Sequence, residues 1–82
     1  MDKIKALIDL FDGATQLGVD VTVFERDVPG AVNALIAWAT ERGMTVRDNT
    51  YVVADDHPME AWRGLWVSTV QAGGITVHRS PA

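Results

Sequence analysis

The densest group of side chains able to hold a metal or move a proton is Asp55-Asp56-His57. Carboxylate oxygens and an imidazole nitrogen serve as metal ligands and as general acids or bases. Three consecutive side chains diverge, however, and an acid shortly before Pro58 is the pattern of a helix start, where a carboxylate caps free N–H groups. The spacing therefore reads as a cap rather than a metal or acid–base site. Ser68 and Ser80 stand in no G-x-S-x-G setting, and no glycine loop has the phosphate-cradling pattern. The chain has no cysteine, which excludes thiol catalysis, disulfides and Cys-based zinc or iron–sulfur centres. No enzyme activity, metal or cofactor is expected.

Binding is the chemistry left. Phe24, Tyr51 and Val53, with Arg47 and His78, read as one sheet face with an apolar centre and a polar rim, as in a protein–protein interface. Asp20, Thr22, Thr45 and Thr76 share that face. Two other readings compete. An N-terminal helix could lay Ile4, Leu7, Ile8 and Phe11 over the face and make it structural. Alternatively, Phe24 and Tyr51 could stack bases as aromatics do on RNA-binding sheets, but the basic-aromatic signature is missing and Asp20 and Asp55 would repel phosphate. Seven basic residues against eleven acidic ones give a net charge of −4, and the basic residues form no stripe, which argues against nucleic acid as a partner. The longest uncharged stretch, 64–77, is too short and polar to span a bilayer, and the N-terminal residues carry no signal-peptide pattern. A cysteine-free acidic chain of 82 residues is expected to be a single cytoplasmic domain.

These residues need elements to position them. Residues 2–12 are amphipathic at helical spacing, and Leu7, Phe11, Ala14 and Leu17 stay in phase, so the helix extends to Leu17 and stops at Gly18. Val19 to Glu25 alternates as a strand, with Val19, Val21 and Val23 on one side. Asp27 and Pro29 open a helix whose Val28, Val32, Leu35, Ile36 and Ala39 form one buried face, and Gly43 caps its end. Met44 to Arg47 is a short strand. Asp48-Asn49 tolerates positive φ and reads as a hairpin turn into a partner strand, Thr50 to Ala54.

The segment from Met59 to Ala72 fits two patterns. As a helix it aligns Met59, Trp62, Leu65, Trp66, Thr69 and Val70. As a strand it alternates from Leu65, with Gly73-Gly74 turning a hairpin into Ile75–His78; Gly64 and the run Val67-Ser68-Thr69-Val70 favour this. An internal echo favours the helix: Gly43-Met44-Thr45-Val46-Arg47 matches Gly74-Ile75-Thr76-Val77-His78, and the acidic turns before each presumed helix nearly coincide. Strand–helix–strand then occurs twice, giving βαββαβ.

That order resembles the ferredoxin-like split βαβ fold: α+β, with a four-stranded antiparallel sheet of order 4-1-3-2 and two helices on one face, behind an N-terminal helix. The valines at 19, 21, 46, 52 and 77 would face the helices, and 80–82 would be a tail. Trp38, Trp62 and Trp66 would pack between helices and sheet, with one left exposed as an interface anchor. The alternative is a C-terminal hairpin of 65–71 and 75–79. A superfold does not set function. The leading expectation is a small regulatory or inhibitory module that binds another protein or itself. Small acidic chains of this size are common among phage and mobile-element products that block host enzymes. The alternatives are an ACT-like small-molecule sensor and a nucleic-acid platform.

Overall fold

A computed structural model describes residues 2–79. The chain is α+β, running α1 (Lys3–Leu17), β1 (Val21–Phe24), α2 (Ala31–Glu41), β2 (Arg47–Val52), a 3-10 turn (Glu60–Trp62), β3 (Trp66–Ala72) and β4 (Ile75–Arg79). The proposed tail, 80–82, and Ser80 with it lie outside the described residues.

Both helices stop by the same device. Gly18 and Gly43 adopt left-handed φ of 71° and 67°, where a side chain would be strained. At each end the next N–H reaches back to the helix, Val19 N to Ala14 O at 3.1 Å and Met44 N to Ala39 O at 2.9 Å. This Schellman pattern satisfies carbonyls that the helix itself leaves free. At its start α1 is capped by Asp2, whose Oδ1 accepts from the Ile4 N–H. α2 begins later than Pro29, at Ala31, with Gly30 as the capping residue.

The sheet has the order β1-β4-β3-β2. β4 is parallel to β1 and antiparallel to β3, which is antiparallel to β2. β1 and β2 therefore run the same way at opposite edges, joined through α2, and the β2–β3–β4 meander fills the space between them. The ferredoxin-like order is not the one formed. The second helix expected over 58–72 is a loop with a 3-10 turn followed by β3. β3 and β4 make the alternative hairpin, with Gly73 at φ 58° in the turn. Local propensity outweighed the echo: Gly64 and the β-branched run resist a helix, and in β3 that run pairs with β2 throughout and with β4 from Ser68 on.

The expected hairpin at Asp48-Asn49 is also absent, because 47–52 is one continuous strand and no non-glycine residue among those described has positive φ. The partner of this strand is β3, not residues 50–54.

The core lies on one face of the sheet. Val70, Ala72, Ile75 and Val77 meet Ala31, Val32, Leu35, Trp38 and Ala39 of α2, and Leu7, Phe11 and Ala14 of α1 complete the cluster. Each large side chain fully removed from water there contributes about 1.5–3 kcal/mol. The N-terminal helix packs on α2 on this same side, Phe11 against Trp38 at 5.4 Å between ring centroids. It does not cover the other face, so that structural explanation of Phe24 and Tyr51 fails. Of the valines assigned to the helix side, Val21, Val46 and Val77 join the core while Val19 and Val52 are exposed.

Candidate protein-binding surface

Strand register divides the helix-side face of the sheet into successive rows. Val21, Ile75 and Ala72 form one apolar row, and Val23, Val77 and Val70 a second that ends at Asp48. The third row is polar. Ser68, fully buried, accepts from Thr50 Oγ1 at 3.1 Å and from Arg79 Nη2 at 3.2 Å, and Arg79 lies 3.8 Å from the Asp48 carboxylate. Beyond it the face turns apolar again with Val52 opposite Trp66, both exposed.

Residues 53–65, the long β2–β3 connection, extend this apolar end. Its neck is tied by Val53 N–H to Leu65 O at 2.7 Å and Gly64 N–H to Val53 O at 3.0 Å. Within the loop, His57 Nδ1 accepts from Met59 N–H, Arg63 Nε donates to His57 O at 2.7 Å, and the His57 ring stacks on Trp62 at 5.5 Å. Those bonds order a loop that nevertheless leaves Met59, Trp62 and Leu65 in water. Trp62 keeps 50% and Trp66 43% of its surface exposed, whereas Trp38 keeps 2%. Loops of this length are commonly functional, and large aromatics anchored in apolar patches are the residue type that carries interface energy. Asp55, Asp56 and Glu60 of the same loop are exposed, Glu60 lying 3.7 Å from the Arg63 guanidinium. The expectation that one of three tryptophans is exposed is thus exceeded: two are.

The five residues read from the sequence as one partner face are spread over four places. Phe24 stacks on the neighbouring His78 at 5.3 Å, with Arg26 above the Phe24 ring, beside a cavity of about 200 Å³. Tyr51 is exposed on β2, at the opposite edge of the sheet. Three strand spacings separate these edges, about 14 Å, so Phe24 and Tyr51 form no common apolar centre. Val53 is buried, with 6% of its surface in contact with water, outside the main cluster. Arg47 sits at the other end of β2, in a cavity of about 430 Å³ with Met44, Thr45, Gln71 and Gly73. The open face between these points is Thr22, Thr76, Gln71 and Arg47 in one row and Phe24, His78, Thr69 and Asn49 in the next, which is largely polar.

Asp55-Asp56-His57 caps no helix, since only a turn follows it. Its imidazole is engaged with the Met59 N–H and the Trp62 ring. No group of three or more His, Asp or Glu side chains comes together as a metal would require among the described residues. The anion-attracting N-terminus of α2 is filled by the chain itself, and by Glu25 rather than the expected Asp27. Glu25 Oε2 accepts from Gly30 N–H at 2.7 Å and Ala31 N–H at 3.2 Å, and Oε1 from Val32 N–H at 3.1 Å. A carboxylate of the chain itself there takes up the N–H groups of Gly30, Ala31 and Val32 that an anionic effector would use. Among the described residues no helix is long and apolar enough to cross a membrane.

No protein-family model, curated protein or solved structure matches this chain.

Proposed function

We propose that this chain is a regulatory or inhibitory protein-interaction module that acts by binding, with the exposed end of the β2–β3 unit as its partner surface. The observation that carries the reading is the contrast among its tryptophans: Trp62 and Trp66 are held half in water on an ordered loop and strand. Leaving such side chains exposed forfeits burial energy that a small domain can ill spare, and docking a partner recovers it. With Val52, Met59 and Leu65 they make an apolar centre, and Asp55 and Asp56 of the same loop supply negative charge beside it. The complementary partner is a folded protein presenting an apolar pocket bordered by Lys or Arg. A module of this kind blocks or modulates the protein whose surface it covers.

The test compares wild type with the Trp62→Ala/Trp66→Ala double variant, each used to capture proteins from the native cell. A partner retained by wild type is then purified and titrated calorimetrically against both. The double variant is expected to weaken binding at least about a hundredfold, as loss of two hot-spot aromatics does. Equal affinity for both proteins overturns the assignment of this surface.

A further inference from the structure

The two edges of the sheet differ. β1 is a short edge of four residues. β2 is an edge of six residues, every one of them exposed and none of them Pro or Gly. The bond from Val53 N–H to Leu65 O fixes which backbone groups of β2 face β3. By the alternation of an antiparallel ladder, 47, 49 and 51 point their N–H and C=O groups inward to β3. Asp48, Thr50 and Val52 point theirs outward, a free ladder of the kind that templates another strand.

We propose that this ladder pairs with the β2 of a second copy, antiparallel about a two-fold axis through Asn49, to give one continuous eight-stranded sheet. The register is chosen by side chains. Centring on Asp48 would set two carboxylates directly opposite each other, and centring on Thr50 would set Asp48 against Val52 and Arg47 against the buried Val53. Centring on Asn49 sets Arg47 against the Tyr51 ring of the other copy and Asp48 against its Thr50. These are a cation–π pair and a polar pair free of like charges, each occurring twice by symmetry. In this register the outward-pointing 48 and 50 exchange backbone bonds, as ladder alternation demands, and the two Asn49 side chains meet at the close, non-hydrogen-bonded position. Both helical layers then lie on the same side, and the two β2–β3 loops fall at opposite ends of the shared edge. The inference rests on the backbone edge of β2 and shares only Val52 with the partner surface proposed above; neither tryptophan takes part in it.

Asn49 is exposed and its side chain has no hydrogen-bond partner among the described residues, so charge can be placed there without disturbing the fold. Sedimentation equilibrium over a wide concentration range is expected to show wild type at twice the 8.9 kDa chain mass. Asn49→Lys and Asn49→Glu should each weaken self-association roughly fivefold or more, because like charges then oppose each other at the axis. An equimolar mixture of the two variants should restore it. Circular dichroism checks that both remain folded. A monomeric wild type, variants that associate as wild type does, or a mixture that stays monomeric would each overturn the proposal. Trp62→Ala/Trp66→Ala should leave the dimer intact, which separates a failure here from a failure of the partner surface.

Discussion

Trp38 and the Trp62–Trp66 pair put the same side chain to opposite uses. Trp38 sits in the core, its Nε1–H donating to Asp12 Oδ1 at 2.9 Å, with Phe11 at its side and the Arg42 guanidinium 4.7 Å from its ring. Arg42 also donates to the same carboxylate oxygen at 2.8 Å. One residue thereby joins α1, α2 and the polar exterior: its apolar body is buried and its single donor is satisfied. Trp62 and Trp66 stand on a loop and a strand end that helices do not reach, half exposed. Sequence position does not distinguish these roles. Coverage does: α2 lies over the hairpin-proximal rows of the sheet, and where its cover ends, at the polar Ser68–Arg79 row, apolar side chains pass from core to surface.

The sharpest way to break that contrast is to truncate both kinds. Trp38→Ala removes a fully packed indole and leaves Asp12 without one of its two donors, so it should cost roughly 3–5 kcal/mol, most of the stability of a domain this small. Urea unfolding followed by circular dichroism measures it, and a loss under 1 kcal/mol would show that the α1–α2 contact is not what holds the core together.

Next in size is the cap that sets where α2 starts. Glu25→Ala leaves the N–H groups of Gly30, Ala31 and Val32 without their carboxylate, and the expected loss is about 1–2 kcal/mol. Glu25→Gln keeps one acceptor oxygen and should lose less. If Glu25→Gln is as stable as wild type, the charge and bidentate reach of Glu25 add nothing to an ordinary cap.

The first half of the chain was legible in the sequence because its signals are local and mutually consistent. α1 and α2 have apolar stripes and terminal glycines, and β1 alternates because one of its faces is buried. Legibility failed from Arg47 onward for a physical reason. An edge strand with both faces in water has no hydrophobic alternation to display, so Asp48-Asn49 reads as a turn when it lies within a strand. In 59–72, Trp62 and Trp66 happen to lie four apart, which mimics a helix face, and Gly43 and Gly74 precede similar tetrapeptides although one ends a helix and the other turns a hairpin. The β-branched run of β3 was the truer signal. Taking it first would have left 53–65 as a long loop bearing exposed aromatics, and so would have found the candidate surface. The Glu25 cap was missed because the carboxylate reaches α2 from before the turn, outside the window in which a cap is sought.

The smallest effect on stability is expected where the functional consequence is largest. Trp62→Ala and Trp66→Ala each remove a side chain already half in water, so each should shift unfolding by no more than about 1 kcal/mol. Acrylamide quenching of tryptophan fluorescence reads the same contrast without truncating the core. Wild type should show an accessible fraction and a protected one. The double variant, with Trp38 alone, should show only the protected fraction until the protein unfolds. In the presence of a cognate partner the accessible fraction of wild type should itself become protected, because the indoles left in water by the fold are the ones the partner would cover. If that fraction stayed fully quenchable in the complex, Trp62 and Trp66 would be exposed for some reason other than binding.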